Sequence, residues 1–288
     1  MSGISNRLCR PLARANAALA PALLAAALLA SPLPILAPPA SAQEVSEQRR
    51  VRVGIGPQLF PSYPGSDSYR AGALFVFDRA RGDTPFEFEA ADESFDFTLV
   101  REGRLSLGPA ASAQRSRKPG DLGAPMPKIG FTLELGGFAQ YELSDNFRVR
   151  GELRKGLGGH DGLVGSLSAD AIIRDGDDWL IAAGPRVTWS NRTYQNAYFG
   201  IAPDDAAASG LPVHRVGGGV HALGATATFV TELTPRWGIY SYARYDRVVG
   251  RPGASPLVRQ YGSRDQFSGG LALTYTFIRS GTPGRRTN

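Results

Sequence analysis

The chain has 288 residues, 42% of them hydrophobic, with 32 Lys and Arg against 26 Asp and Glu, a formal net charge of +6 and one cysteine. That length admits one or two ordinary domains, and a lone cysteine excludes a disulfide framework. No stretch after residue 42 reaches the apolar length of a membrane helix.

Taken in chain order, the first 42 residues have the grammar of a secretory signal peptide. Arg7, Arg10 and Arg14 form a positive start, Leu19 to Ala30 is an apolar run, and Ala40–Ser41–Ala42 offers small residues for cleavage before Gln43. Cys9 lies inside this segment, so the mature chain is expected to hold no cysteine and to suit an oxidising compartment. The segment carries three arginines and no acid, which leaves 29 basic residues against 26 acidic ones. No basic stripe with interleaved aromatics remains, and nucleic-acid binding is excluded on that ground. Residues 43–50 are expected as a periplasmic N-terminal stub, 51–277 as the folded domain, and 278–288 as a disordered basic tail.

Period-two alternation then recurs twelve times: Val51–Leu59, Tyr69–Arg79, Thr84–Ala90, Glu93–Arg101, Arg104–Ala113, Lys128–Leu143, Asn146–Leu157, Gly162–Arg174, Asp178–Ser190, Gly217–Leu233, Arg236–Val249 and Gln266–Phe277. Tight turns fall at 102–103, 144–145, before Asp178, and at 234–235. Long connections fall at Gln114–Pro127, Gly158–Asp161, Asn191–Val216 and Gly250–Asp265. Short and long connections alternate, as in an up-and-down barrel of the bacterial outer membrane. The expected fold is therefore all-β, a transmembrane antiparallel barrel of about twelve strands, with ten as the alternative.

"GELRKGLGGHDGLVGSLSAD" (151–170) tests that reading against a phosphate-binding glycine loop. Such a loop needs a helix after its glycines, and the residues that follow carry no helical stripe. The stretch reads instead as a hairpin whose turn glycines suit positive φ.

Each strand has one apolar and one polar face. An arginine on the lipid side near the midplane would cost roughly 2–4 kcal/mol, so the charged rows are expected to point inward. Those rows hold Arg148, Arg150, Arg154, Arg174, Arg186 and Arg244 with Glu134, Glu142, Glu152, Asp170 and Asp246. The expectation is that they pair across a narrow lumen and plug it, the alternative being a pore with mild anion preference. Tyr141, Phe147, Trp179 and Trp237 recur beside the short turns, where an aromatic girdle belongs. The long connections offer a candidate recognition surface, including Tyr194, Tyr198 and Phe199, and the 191–216 loop is expected to pack as a lid.

Catalytic and metal patterns are weak. His160, His214 and His221 are the only histidines, and no two share metal-ligand spacing on one element, the nearest approach being His214 and His221, seven apart near a loop-to-strand boundary. A Ser166 or Ser168, His160 and Asp161 set would leave the serines several residues below the turn. No enzyme, cofactor or metal is expected.

"VGIGPQLFPSYPGSDSYRAGALFVF", "YFGI…SGLP" (198–212) and "SPLVRQYGSRDQFSGGLALTYTF" (255–277) resemble the MltA-interacting protein family (MipA/OmpV). The resemblance runs from Arg52 to Phe277. It implies a barrel in outer-membrane lipid of a Gram-negative bacterium. It also implies a scaffold that links murein-remodelling enzymes, a lytic transglycosylase and a murein synthase. Other family members are porin-like or adhesive, so a small-solute channel and a surface adhesin stand as alternatives. One departure is the chain end: outer-membrane strands usually finish on an aromatic, and here eleven residues follow Phe277.

Overall fold

A computed structural model describes residues 48–279. The expected signal peptide, and the tail beyond Arg279, lie outside the described residues. Twelve strands run in chain order: β1 (Arg49–Pro61), β2 (Tyr69–Arg81), β3 (Phe95–Asp96), β4 (Val100–Glu102), β5 (Leu105–Gln114), β6 (Thr132–Ser144), β7 (Phe147–Gly158), β8 (Leu163–Asp175), β9 (Trp179–Ser190), β10 (Gly219–Glu232), β11 (Trp237–Val248) and β12 (Asp265–Arg279). They form one curled antiparallel sheet in the order β2-β1-β12-β11-β10-β9-β8-β7-β6-β5-β3, with β4 also on β5. The first and last strands are joined, Arg49 opposite Arg279 and Val51 opposite Phe277.

The fold is all-β, and side-chain alternation explains why. On β6, Thr132, Glu134, Phe138 and Gln140 are buried inward while Leu133, Leu135, Ala139 and Tyr141 are exposed outward. The same holds around the sheet: Ile55, Phe75, Leu153, Leu167, Ile181, Phe229, Leu271 and Leu273 are large, apolar and exposed. A water-soluble domain does not show a belt of that kind, whereas a barrel wall in lipid requires it. No helix among the described residues is long and apolar enough to cross a membrane.

The 151–170 stretch is the β7–β8 hairpin, with Lys155 opposite Leu163. Gly158 sits at φ +108, and a Cβ on Gly159 would come within 1.9 Å of the Gly130 carbonyl oxygen, so both positions need glycine.

Two expected strands depart from the pattern. Thr84–Ala90 is not a strand, and Glu93–Arg101 shrinks to the short β3 and β4. The sheet consequently does not close into a hydrogen-bonded ring: β2 ends its path on one side and β3 and β4 end it on the other. The chain between them turns inside. Phe86, Phe88 and Ala90 are buried, the last two against Leu74, Val76, Ile172, Leu180, Val230 and Tyr240 of the wall. Alternation in this segment reflects an apolar interior on one side and, on the other, a cleft of mixed lining that Glu87 and Glu89 face. That contrast produces the same period as a wall strand.

At the long-loop end four short helices form a lid: α1 (Arg192–Phe199), α2 (Pro203–Ser209), α3 (Gly250–Gly253) and α4 (Pro256–Tyr261). The Asn191 side chain caps α1 by accepting from Tyr194 N, and Ser255 caps α4, whose first residue is proline. Their apolar sides meet Tyr63, Met126, Ile129, Val164, Val216 and Val248 in a second core.

Candidate functional site: a filled interior

The inner segment is held by wall side chains in place of a strand ladder. Arg50 donates to the Thr84 carbonyl (2.5 Å), Arg174 to Phe86 (2.8 Å), Arg148 to Phe88 (2.8 Å), and the Tyr240 hydroxyl to Glu89 (3.1 Å). Phe86 N in turn donates to the Asp177 carboxylate (2.9 Å). A non-ladder backbone in a barrel interior must have its polar groups met in some such way. The aromatic rings are also covered by guanidinium planes, Arg52 over Phe86 at 4.3 Å and Arg148 over Phe88 at 4.4 Å.

Above these contacts lies a layer of ion pairs. Asp92 of the inner segment meets Arg186 (2.7 Å) and Arg244 (3.0 Å), Asp96 meets Arg150 (2.5 Å), and Glu93 meets Arg148. The wall supplies the remainder: Arg186 with Asp170 (2.8 Å), Arg148 with Asp170 (3.1 Å), Arg150 with Glu152 (2.7 Å), Arg244 with Asp246 (2.5 Å) and Arg154 with Glu134 (2.9 Å). Arg174 pairs lower down with Asp177 (2.9 Å). Of the eleven charged residues singled out from alternation, nine meet in this layer, Arg174 pairs apart from it, and Glu142 makes no ion pair among the described residues. Sequence reasoning missed the acids that complete it: Asp92 falls between two expected strands, and Glu93 and Asp96 fall in the expected strand Glu93–Arg101, of which only the short β3 and β4 form.

His160 links this layer to the lid. Its Nε2 lies 3.1 Å from the Glu134 carboxylate, and its ring meets Tyr194 edge-on at 4.9 Å. Neither Ser166 nor Ser168 is joined to it; the Ser168 hydroxyl points to the Arg150 carbonyl (3.4 Å). Ser190 and His221 do form a pair, Oγ to Nδ1 at 3.0 Å, which sequence spacing did not reveal. Both are buried beneath the lid. Among the described residues no group of three or more His, Cys, Asp or Glu could hold a metal ion.

Tyr194, Tyr198 and Phe199 correct an expectation. They are at most 4% exposed and form the lid's core, so they are not a recognition surface. The lid closes over the interior, and its rings are its densest apolar mass, so they turn inward. Burial pushes the Tyr198 phenol up to about 12 and Tyr194 well above the ordinary tyrosine value. Arg117 donates to the Tyr198 carbonyl (3.2 Å) and so ties the 115–131 loop to α1.

Tyr141, Phe147, Trp179 and Trp237 are all exposed on the outward face at the short-turn end. Tyr275 and Phe277 join them, with the Trp237 and Tyr275 rings 4.8 Å apart. Phe277 is the aromatic on which the last expected strand ends, and Tyr275 lacks the short turn that marks the other girdle residues in the sequence.

A cleft of about 1580 Å³ lies between β2 and the inner segment, lined by residues that include Phe75, Phe77, Phe95, Phe97, Arg79 and Arg101.

The family model described as MltA-interacting protein MipA matches residues 53–277. This chain belongs to the MipA family. It is accordingly an outer-membrane protein, with the exposed apolar belt in lipid and, by the rule of such barrels, the short turns toward the periplasm. A search of the curated proteins finds no match. Among solved structures, an outer membrane channel from Pseudomonas putida F1 is 12% identical, covering 84% of this chain and 100% of that one, at a TM-score of 0.36. OmpT of Vibrio cholerae is 9% identical over 80% and 96% of the two chains, at a TM-score of 0.36. OprG of Pseudomonas aeruginosa is 10% identical over 81% and 96%, at a TM-score of 0.27. Membership rests on the family match over residues 53–277.

Proposed function

We propose that this MipA-family chain is a non-catalytic outer-membrane anchor. Its short-turn end would hold a periplasmic lytic transglycosylase of the MltA type, and through it a murein synthase. The family description supplies the partner class. The observation that carries the reading is the filled interior. Phe86, Phe88, Asp92 and Glu93 occupy the space a solute would need, and the lid covers the other end. A wall of that kind serves as a platform.

The test is site-specific cross-linking in cells, with a photo-reactive amino acid placed at Asn146 or Thr234 on the short turns, or at Arg192 in the lid. Adducts with a lytic transglycosylase are expected from the two turn positions. Adducts from the lid position only, or none from any position, would overturn the reading.

A second reading, a small-solute channel, draws on one feature: the inner segment is fastened by side chains and not by a ladder. Its displacement would join the cleft to the interior.

A further inference from the structure

The girdle at the periplasmic end is not uniform. From β6 round to β12 the outward residues at this level include Tyr141, Phe147, Trp179, Trp237, Tyr275 and Phe277. Across β12, β1 and β2 the terminal positions change character. Arg49 stands directly opposite Arg279 on one side and Arg81 on the other, and Arg79 stands opposite Val51 one step up. All four arginines follow the outward parity of Val53, Phe77 and Phe277, and all four are exposed. Among the described residues none of them pairs with a carboxylate. Like charges directly opposite on neighbouring strands are unfavourable, so the cluster calls for an anion.

The surface beside the arginines fixes what sort of anion. Arg49, Arg79 and Arg81 border the cleft, whose apolar lining includes Phe75, 72% exposed, and Phe77, 52% exposed. Arg79 also lies over the Phe77 ring at 5.8 Å. The arginines stand at headgroup depth, and the exposed Phe77 and Phe75 run from them along the outward face of β2 toward the bilayer centre. That order matches an amphiphile with an anionic head and apolar tails. We infer that the β12–β1–β2 face holds an anionic glycerophospholipid of the inner leaflet, its phosphate on Arg49, Arg79, Arg81 and Arg279 and its acyl chains along Phe75 and Phe77. Guanidinium groups suit this task because each presents a planar fork of donors to phosphate oxygens. The inference needs only the membrane location and stands apart from the enzyme-anchoring reading.

The experiment is native mass spectrometry of the full chain in detergent, titrated with phosphatidylglycerol and with diacylglycerol of the same acyl chains. The wild type is expected to retain phosphatidylglycerol and to release diacylglycerol. A quadruple Arg49→Gln, Arg79→Gln, Arg81→Gln, Arg279→Gln variant should lose retention by about fivefold per charge removed. An Arg104→Gln, Arg236→Gln variant on the neighbouring turns should keep it. Heat-modified gel mobility confirms that each variant is folded; should the quadruple variant fail this check, the Arg79→Gln, Arg81→Gln pair is measured in its place. Equal retention by the wild type and the arginine variant would overturn the inference, as would equal retention of diacylglycerol. So would a variant that keeps its lipid but loses a bound acidic protein, which would mark the face as a protein contact.

Discussion

Arg186 shows at single-residue scale how the interior is held. Its guanidinium is 4% exposed and meets Asp92 from the inner segment and Asp170 from the wall. Removing one member of a buried pair leaves charge uncompensated, at a cost of about 3–5 kcal/mol. Here Asp92 keeps Arg244 and Asp170 keeps Arg148, so Arg186→Gln belongs at the lower end, about 3 kcal/mol. The measurement is the urea midpoint of the detergent-folded barrel, together with protease cutting within residues 84–94. Asp92→Asn added to Arg186→Gln should cost less than the two single changes summed, because the pair is coupled. A single variant as stable and as protease-resistant as the wild type would remove the network from the account of the fold.

The lid and the inner segment show what elements of this chain can and cannot disclose in advance. The walls from β6 to β12 are legible to within a few residues: Asn146–Leu157 is expected and Phe147–Gly158 is found, whereas Lys128–Leu143 is expected and Thr132–Ser144 is found. Lipid on one side and a polar interior on the other impose a strict period of two. Thr84–Ala90 carries the same period for a different reason, and no local pattern separates a wall strand from a segment lying between core and cleft. The lid helix α1 buries Tyr194, Gln195, Tyr198 and Phe199 at helical spacing, but its eight residues make too short a stripe to read, so Tyr194, Tyr198 and Phe199 could be found but not oriented. Their burial has a pH consequence. The folded lid keeps the Tyr198 proton up to about pH 12, whereas an unfolded chain releases it near the ordinary value of 10. Stability from this group is therefore complete below the unfolded value and falls as pH rises toward the folded one. An ultraviolet titration should show a late phenol that Tyr198→Phe abolishes. The hydroxyl has no partner among the described residues, so the same change should shift stability at neutral pH by less than about 1 kcal/mol. Loss of a phenol titrating near the ordinary value of 10, with the late component unchanged, would place Tyr198 in water.

For the molecule as a whole, the deciding property is whether ions cross it. Two closures lie in series: Thr84–Asp96, pinned to the wall by Arg50, Arg148, Arg174, Arg186 and Arg244, and the lid built from the 191–218 and 249–264 loops. The native chain in a planar bilayer should therefore be silent. Replacing Thr84–Asp96 by glycine and serine opens only the inner closure, and shortening the 191–218 loop opens only the outer one. The two together should give discrete conductance steps. The sign of selectivity follows from what is lost. The exchanged segment takes away Glu87, Glu89, Asp92, Glu93 and Asp96 but none of the arginines they face. An interior lined by Arg148, Arg150, Arg186 and Arg244 with fewer acids should favour anions. Steady steps from the unaltered chain would show that the interior is open to solution, and the channel reading would then displace the platform. Cation-selective steps from the double variant would mean that these arginines do not line the opened path.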